Sequence, residues 1–326
     1  GRGLEDAARV IGALGQAEPA TALIVAMQYI SLASVAESAW PLALKRETTA
    51  AAAGEGALLN ALRVEPDLGT PWRGGLPATI LRRTDGGWRL SGRKTYSTGS
   101  RALTWGIVWA RTDEDVPRVG NVLVPLAGDG VRVHDSWDHL GLRATNSHDV
   151  IFDDAPVSDD RAADLRTPEA WAAAPEALGA VWICVLLAAL YDGVARAAQA
   201  WTIGFLRART PSNLGAPLAT LPLPRHAIGE NEAQLALHRR LILSASRDWD
   251  RDRSLTLTEA GQIKVAVTEG AIAVTERALR LTGNHGLSRA NPLERHHRDV
   301  LCGRIHSPQS DMVFAGAGRL ALTGDD

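Results

Sequence analysis

The spacing of hydrophobic positions along the chain changes twice. Over residues 4–54 apolar residues recur every three or four positions, which predicts helices at 4–14, 20–38 and 41–54. From Gly56 short apolar runs are separated by Gly, Pro and Asp turns. These runs predict seven strands, at 57–63, 78–82, 88–96, 105–111, 121–125, 131–135 and 149–152.

Helical spacing returns after Pro156 and continues to the end of the chain. It predicts long helices at 175–209, 224–251, 259–282 and 292–304, with Thr256 and Glu259 as a capping box. Long helices joined by short loops favour an up-down bundle. The predicted fold class is therefore α+β and multidomain. It comprises an N-terminal helical domain at 1–55, a middle antiparallel β-sandwich or barrel at 56–160, and a C-terminal four-helix bundle at 161–326.

Composition narrows the function classes. With 326 residues, of which 45% are hydrophobic, the chain is long enough for more than one core. A net charge of −2 and the absence of Lys/Arg blocks argue against nucleic acid or an anionic membrane surface as partner. Cys184 and Cys302 form no disulfide framework, which favours a reducing, cytoplasmic location. The apolar run at 181–190 is too short to span a bilayer, so we expect no membrane segment.

The sequence 96–100, Tyr-Ser-Thr-Gly-Ser, follows a predicted strand and is rich in hydroxyl groups. Gly99 and the small side chain of Ser97 would let backbone N–H groups approach a flat polar ligand. The same composition is also typical of an ordinary turn. The loop is therefore a candidate ligand-binding loop, and the alternative is an ordinary turn.

The domain order and four motifs together resemble the acyl-CoA dehydrogenase superfamily of flavoproteins. The motifs are Glu65-Pro66-Asp67-Leu68-Gly69-Thr70, Tyr96-Ser97-Thr98, the segment 140–153 and Arg298-Asp299. The resemblance covers nearly the whole chain and implies helices, a β domain and a four-helix bundle, in that order. The N-terminal helical domain is short against the family pattern, so we expect it to be truncated.

The resemblance implies a flavin cofactor, FAD with FMN as the alternative, whose ring lies between the β domain and the bundle. It assigns ring contacts to Val64, Tyr96, Ser97 and Thr98, the substrate channel to Thr70, and the dinucleotide half to Arg209, Arg280, Gly283 and Asn284. Arg280 and Asn284 replace the usual Gln and Gly of the family, which leaves FMN open. Thr70 could equally be a turn residue, and Arg209 a solvated helix-end residue.

The position of the family's catalytic glutamate falls on Ser307, and the alternative position of some relatives falls near Trp182 or Ile183. None of these is acidic, so a base for α-proton removal would have to come from elsewhere, such as Asp311. The segments 291–299 and 305–308 resemble instead the flavin monooxygenases typified by dibenzothiophene monooxygenase. That resemblance implies that His306 hydrogen-bonds the peroxyflavin. Alternatively, Ser307 and Pro308 only begin a helix, as N-cap and first helical residue.

Three function classes follow. The first class, favoured on overall resemblance but without its usual base, is an enzyme that oxidises an acyl thioester or similar small molecule by hydride transfer to flavin. The second is an O₂-dependent monooxygenase using reduced flavin, and the third is a non-catalytic flavin-binding paralogue. His306 and Ser307 are the catalytic candidates, and His306 supports the second class. The resemblance implies a homodimer or homotetramer and, as electron partner, an electron-transfer flavoprotein or a flavin reductase. His285, His296 and His297 lack paired ligand spacing, so no metal site is predicted.

Overall fold

The computed structural model describes residues 2–70, 74–173 and 177–324. These residues fall into two compact units. The helical unit contains residues 2–26, 139–142 and 181–324, and the β unit contains the described residues of 27–138 and 143–180. The domain boundaries predicted from the sequence stay predictions, because compactness groups the chain differently.

Ten helices lie in the described residues. They are α1 Leu4–Ala17, α2 Pro19–Glu37, α3 Leu42–Gly54, α4 Pro168–Ala173, α5 Ala177–Ala208, α6 Pro222–Asp252, α7 Leu257–Thr282, α8 Asn284–Leu287, α9 Leu293–Ile305 and α10 Ser310–Thr323. The predicted cap of α7 is present, since the Thr256 hydroxyl accepts from the Glu259 N–H at 3.1 Å. The predicted long helices are confirmed at α5, α6, α7 and α9, although the first predicted residue, Pro175, lies outside the described residues.

The β unit holds one eight-stranded sheet. Its strands are β1 Leu59–Leu62, β2 Ile80–Thr84, β3 Gly87–Lys94, β4 Trp105–Thr112, β5 Val119–Pro125, β6 Val131–His134, β7 Asp149–Val157 and β8 Asp164–Arg166. The order is β6-β7-β3-β2-β4-β5-β8, with β1 also paired to β4. Leu81, Leu90, Val108, Val122 and Val150 are almost fully buried in its main core cluster.

Two features of the sheet differ from the sequence prediction. Both β1 and β2 pair with β4 in parallel, so the sheet is mixed rather than purely antiparallel. The eighth strand, β8, was not predicted, because three residues are too few to show alternation. It pairs with the start of β5 from Val119 to Asn121.

The prediction that Ser307 and Pro308 begin a helix is wrong. Helix α9 ends at Ile305, His306 is its extended C-cap residue, and α10 begins at Ser310 with Gln309 as N-cap. The Lys264 ammonium explains this break, since it donates to the carbonyls of Gly303, His306 and Pro308 at 2.8, 2.7 and 3.1 Å. These bonds hold the carbonyls of the connecting segment in a turn that a continuous helix could not form.

By length and composition alone, two helical segments could cross a membrane, namely Pro19–Glu37 and Leu178–Ala208. The expectation that no apolar run reaches such a length is therefore wrong. Core helices of soluble proteins pass the same test, and the second segment is 83% buried in the protein interior. The first is 39% buried and lies near the N-terminus.

Candidate active site

The loop after β3 lies beside Val64 in the β unit. The Thr95 N–H donates to the Val64 carbonyl at 2.9 Å, so Val64 and the hydroxyl-rich loop are neighbours, as predicted for the ring contacts. Tyr96 adopts a left-handed backbone conformation (φ 55°) and leaves 56% of its surface exposed. This conformation turns the aromatic side chain outward while Ser97 and Thr98 remain buried.

Two buried hydroxyl oxygens on either side of Tyr96 form no hydrogen bond with any residue that the structure describes. They are Thr95 Oγ1 and Ser97 Oγ, and Ser97 is only 1% exposed. An unpaired buried hydroxyl costs about 1–3 kcal/mol, so such atoms in a predicted ligand loop point to a missing partner. The observation fits a bound polar ring better than it fits an ordinary turn.

Thr98 belongs to a chain of three buried hydroxyls. Its Oγ1 lies 3.0 Å from Ser147 Oγ, which lies 2.8 Å from Thr145 Oγ1. The carbonyl of Thr98 also accepts from the Asn60 amide at 3.0 Å. The loop is therefore fixed from two sides. Ser147, which sequence reasoning quoted only as part of a motif, orients the Thr98 hydroxyl.

We expect Ser147→Ala to lower the free energy of unfolding by about 1–3 kcal/mol, because it leaves the Thr98 and Thr145 hydroxyls without their shared partner. Urea denaturation measures this loss. The exposed Ser244, replaced by alanine in the same way, is the control and should change stability by less than about 0.5 kcal/mol. Equal effects of the two variants would contradict the hydroxyl chain.

A cavity of about 600 Å³ opens beside this loop in the β unit. Arg101, Trp137, Asn146 and His148 are among its lining residues, and the Trp137 ring meets the Tyr96 ring edge to face at 6.5 Å. The backbone N–H groups of Ser136 and Trp137 donate to His148 Nδ1, and the His148 carbonyl accepts from Ser97. His148 thus joins the cavity wall to the candidate ring loop.

A buried ion pair connects the Glu65 motif to the strand that carries the loop. Lys94 Nζ lies 2.6 Å from Glu65 Oε1 and donates to the Trp109 carbonyl, with Lys94 and Glu65 at 0% and 2% exposure. Burial lowers the pKa of Lys94 to about 8 against the opposing effect of Glu65. Burial alone would raise the pKa of Glu65, but hydrogen bonds from Lys94 and Thr79 lower it overall.

The same carboxylate shapes the turn that leads to Thr70. Glu65 accepts from the N–H groups of Ala78 and Thr79, and its own backbone exchanges two hydrogen bonds with Gly69. Thr70 follows this turn and is half-buried. Its predicted place along a substrate channel stays a prediction, since Pro71 to Arg73 lie outside the described residues.

In the helical unit, the predicted dinucleotide residues come from two helix ends. Arg209 follows α5, and Arg280, Gly283 and Asn284 close α7; all four are exposed. The rings of Phe205 and His285 lie 5.1 Å apart, which brings the two helix ends together. The structure thus assembles these candidates into one surface, while their role stays a prediction.

His306 lies where α9 ends, and Tyr191 of α5 contacts it. The Tyr191 hydroxyl is 2.7 Å from His306 Nδ1, and Tyr191 is fully buried. Burial, aided by the nearby Lys264 ammonium, lowers the pKa of His306 to about 4, so the imidazole is neutral. Ser307 is half-buried beside it. Of the alternative catalytic positions, Trp182 is buried on α5.

The Arg298-Asp299 motif holds the Gly141 segment within the helical unit. Arg298 donates to the Leu140 carbonyl and Asp299 accepts from the Leu142 N–H, both at 2.7 Å. Burial raises the pKa of Asp299 against the opposing Leu142 hydrogen bond. Two of the four family motifs are therefore bonded to each other, and the Glu65 motif is bonded to the strand that leads into the Tyr96 motif.

We expect Gly141→Ala to lower the free energy of unfolding by about 1–3 kcal/mol. A Cβ at Gly141 would lie 2.3 Å from the Arg298 carbonyl oxygen, and this backbone atom cannot move without shifting α9. Thermal and urea denaturation would measure the loss. Gly54→Ala is the matched control, because no atom lies within 4 Å of a Cβ built there. A Gly141→Ala protein as stable as the control would contradict the close approach.

Comparison with known families decides the identity of the fold. The model described as "Acyl-CoA dehydrogenase, middle domain" matches residues 64–155, and that described as "Acyl-CoA dehydrogenase, C-terminal domain" matches residues 185–310. The chain belongs to the acyl-CoA dehydrogenase superfamily. The predicted fold class is thereby confirmed, and the two matches include every candidate site residue.

Two relatives and one solved structure are similar to this chain. Putative acyl-CoA dehydrogenase YdbM of Bacillus subtilis is 31% identical over 79% of this chain and 67% of its own length. Amino sugar nitrososynthase DnmZ of Streptomyces peucetius is 31% identical over 70% of this chain and 58% of its own length. The structure of TdsC from Paenibacillus sp. A11-2 with FMN and indole superposes with a TM-score of 0.87 at 22% identity, covering 100% of this chain and 85% of that one. The chain thus spans less than two thirds of DnmZ.

Sequence reasoning missed four residues at the candidate sites, namely Tyr191 and Lys264 in the helical unit and Lys94 and Trp137 in the β unit. A sequence clue existed for one of them. The chain has three lysines, and Lys264 stands among apolar positions of a predicted helix, where lysine is rare unless it is paired. Lys94 lies in a polar stretch, and Tyr191 lies in a largely apolar helix, so neither offers a comparable clue.

Proposed function

We propose that the protein is a flavin-dependent oxidoreductase that uses reduced flavin and O₂ to oxygenate a small molecule. The observation that carries the proposal is His306. It stands next to Ser307, where the family's catalytic carboxylate is expected and is absent. The charge that shifts its pKa is the Lys264 ammonium, with no carboxylate contribution. An imidazole with a pKa of about 4 is a weak base, so His306 suits hydrogen-bond donation to oxygen better than α-proton removal from a thioester.

The residues of the β unit fit a flavin ring. Ser97 Oγ and Thr95 Oγ1 are buried without partners in the described chain, and Tyr96 supplies an exposed aromatic side chain beside them. Backbone and hydroxyl groups of this kind would bind the polar edge of the ring. When bound, a reduced flavin supplies the electrons that activate O₂.

The identity of the flavin is part of the proposal. Solved structures with this fold contain FADH₂ in one case and FMN in another, so both agree with the predicted cofactor class. Arg209 and Arg280 offer guanidinium groups suited to phosphate, which either flavin carries. With Asn284 where relatives have glycine, we favour FMN over FAD.

The chain's own residues would bind the flavin ring, orient it and supply a proton to the reactants. Tyr96, Ser97 and Thr98 hold the ring edge, and the Thr145–Ser147–Thr98 chain fixes the hydroxyl that faces it. His306 holds one proton on an imidazole nitrogen and presents it to an oxygen atom of the reactants. Tyr191 and Lys264 keep that imidazole in place.

The relatives support this choice in part. DnmZ is named an amino sugar nitrososynthase, and the TdsC structure holds FMN and indole. Neither the name of DnmZ nor the description of the TdsC structure mentions a thioester. By the same reasoning, an aromatic heterocycle or an amino sugar is the first substrate class to test.

A second candidate is dehydrogenation of an acyl thioester, favoured by the 31% identity to YdbM and by both family models. It would need a carboxylate base, and the 305–308 segment contains no carboxylate. Asp299 is not available for this role, because it is buried and accepts from the Leu142 N–H.

The deciding experiment compares two half-reactions. Protein loaded with oxidised FMN or FAD is mixed anaerobically with a panel of acyl-CoAs, and protein loaded with dithionite-reduced flavin is mixed with ¹⁸O₂ and indole or an amino sugar. Incorporation of ¹⁸O with no flavin bleaching by acyl-CoAs supports the proposal. Bleaching by an acyl-CoA would establish the dehydrogenase instead, and neither reaction with flavin bound would favour a non-catalytic paralogue.

A further inference from the structure

We propose that Tyr191 is a positioning residue that fixes His306 in the tautomer protonated at Nε2, so that His306 acts as a hydrogen-bond donor to an oxygen atom and not as a base. The inference deepens the proposed function and rests on it for its catalytic meaning. The tautomer itself follows from the geometry around His306 and can be measured without turnover.

The surroundings of the Tyr191 hydroxyl favour one direction for its hydrogen bond to His306. Its hydroxyl is fully buried, and His306 Nδ1 at 2.7 Å is its sole hydrogen-bond partner among the residues that the structure describes. If Nδ1 carried the proton, the phenol proton would have no acceptor in the interior, at a cost of about 1–3 kcal/mol. Burial also raises the pKa of Tyr191 well above its usual value, so the phenol keeps its proton.

The remaining ring nitrogen of His306 is thereby defined. A neutral imidazole with an unprotonated Nδ1 carries its proton on Nε2. His306 is half-buried, and Nδ1 makes its only side-chain hydrogen bond in the described part of the chain. With Nδ1 occupied by Tyr191, neither nitrogen offers a free lone pair for removing a proton from carbon. The group that His306 presents is an N–H donor, which selects an oxygen or another acceptor atom as its target.

Lys264 and Gly303 hold this arrangement from the other side. The Lys264 ammonium, 1% exposed, bonds the carbonyls of Gly303, His306 and Pro308, which fixes the backbone on both sides of the imidazole. A Cβ at Gly303 would lie 3.0 Å from the Tyr191 ring and 2.4 Å from the Thr268 methyl group, so only glycine lets α9 approach this closely. The nearby ammonium also disfavours a second proton on His306.

The test is the tautomer of His306 in the full-length protein. Protein labelled with ¹⁵N in its histidine rings is examined by long-range ¹H–¹⁵N NMR, and His306→Gln identifies the His306 resonances by their loss. We expect an unprotonated Nδ1 and a protonated Nε2 at pH 7, with and without added FMN. A protonated Nδ1, or a doubly protonated ring, would overturn the proposal whatever the activity proves to be.

Tyr191→Phe tests the cause. It keeps the ring and its packing but removes the phenol proton, so the His306 resonances should become an average of both tautomers. Tyr29→Phe is the matched control, because Tyr29 makes no hydrogen bond through its hydroxyl in the described residues. A Tyr191→Phe spectrum identical to that of wild type would refute the positioning role. If Tyr191→Phe fails to fold, the wild-type spectrum still decides.

The effect of Tyr191 on catalysis is measured separately. With the oxygenation substrate, Tyr191→Phe should lower the product formed per reduced flavin about tenfold and raise hydrogen peroxide, with the Kd for flavin unchanged. The Nε2 tautomer without this change in coupling would disprove the donor role but leave the proposed function intact. Absence of any oxygenation in wild type, with the predicted tautomer present, would reject the proposed function alone.

Discussion

Replacing His306 with alanine should lower the rate of oxygenated product formation by about 100-fold or more, while reduced flavin is still consumed by O₂. Positioned proton donors contribute about 10²–10⁴-fold in enzymes, and His306 is the proton-bearing side chain next to Ser307, where the family's catalytic residue is expected. Without it the oxygen should leave as hydrogen peroxide. The measurement is the ratio of product to peroxide in single turnovers with reduced flavin and O₂.

The control must separate loss of chemistry from loss of cofactor. Flavin fluorescence titration should give His306→Ala the same Kd as wild type, because the predicted flavin contacts lie on other segments. His226→Ala removes an exposed histidine paired with Glu230 and should leave both Kd and coupling unchanged. Unaltered product formation in His306→Ala would remove His306 from the mechanism, and equal losses in both histidine variants would point to a general defect.

Most of the fold could be predicted because its elements carry their own periodicity. The short apolar run in β4 and the helical spacing of α7 are local properties, and the bounds predicted for them lie within two residues of those observed. Strand β8 and the parallel partners of β4 could not be predicted. Three residues show no period, and parallel pairing is decided by contacts between distant segments.

The candidate site could likewise be predicted only where its residues form contiguous motifs. The loop at Tyr96 and the position of His306 were found from motifs contiguous in sequence. The residues that hold the site in place were not found, because they are far from their partners in the sequence. Tyr191 and His306 are separated by 115 positions, and Lys94 and Glu65 by 29. The helix start predicted at Ser307 failed for a related reason. Local capping preference was overridden by a lysine from another helix that binds three carbonyls of the segment.

The family motifs and the candidate catalytic residues have different roles in this chain. Arg298-Asp299 and the Gly141 segment bind each other, and Glu65 binds the strand that ends at the Tyr96 loop. These contacts position backbone and leave the chemistry to other residues. A scaffold fixed in this way can keep its geometry while the side chains near the catalytic position change. The relatives named as dehydrogenase and nitrososynthase are consistent with one scaffold serving different reactions.

Lys94→Met should lower the free energy of unfolding by about 3–5 kcal/mol at pH 7, because it leaves the Glu65 carboxylate buried without its cation. The pH dependence identifies the cause. In wild type the pKa of Glu65 is below 4.5, so its contribution is present above pH 4.5 and is lost as pH falls through the folded-state pKa. In the variant that pKa should exceed 4.5, so protonation relieves the buried charge as pH falls.

The stability gap between wild type and Lys94→Met should therefore narrow from pH 7 towards pH 4.5, as measured by urea denaturation at each pH. Lys45→Met is the matched control, since Lys45 donates to the Ala36 carbonyl at the surface and has no carboxylate partner in the described residues. It should cost less than about 0.5 kcal/mol at both pH values. A gap that is independent of pH would mean that lost packing, and not the unpaired Glu65 charge, destabilises the variant. Because Glu65 also fixes the turn beside Val64, the variant should bind flavin more weakly than Lys45→Met does.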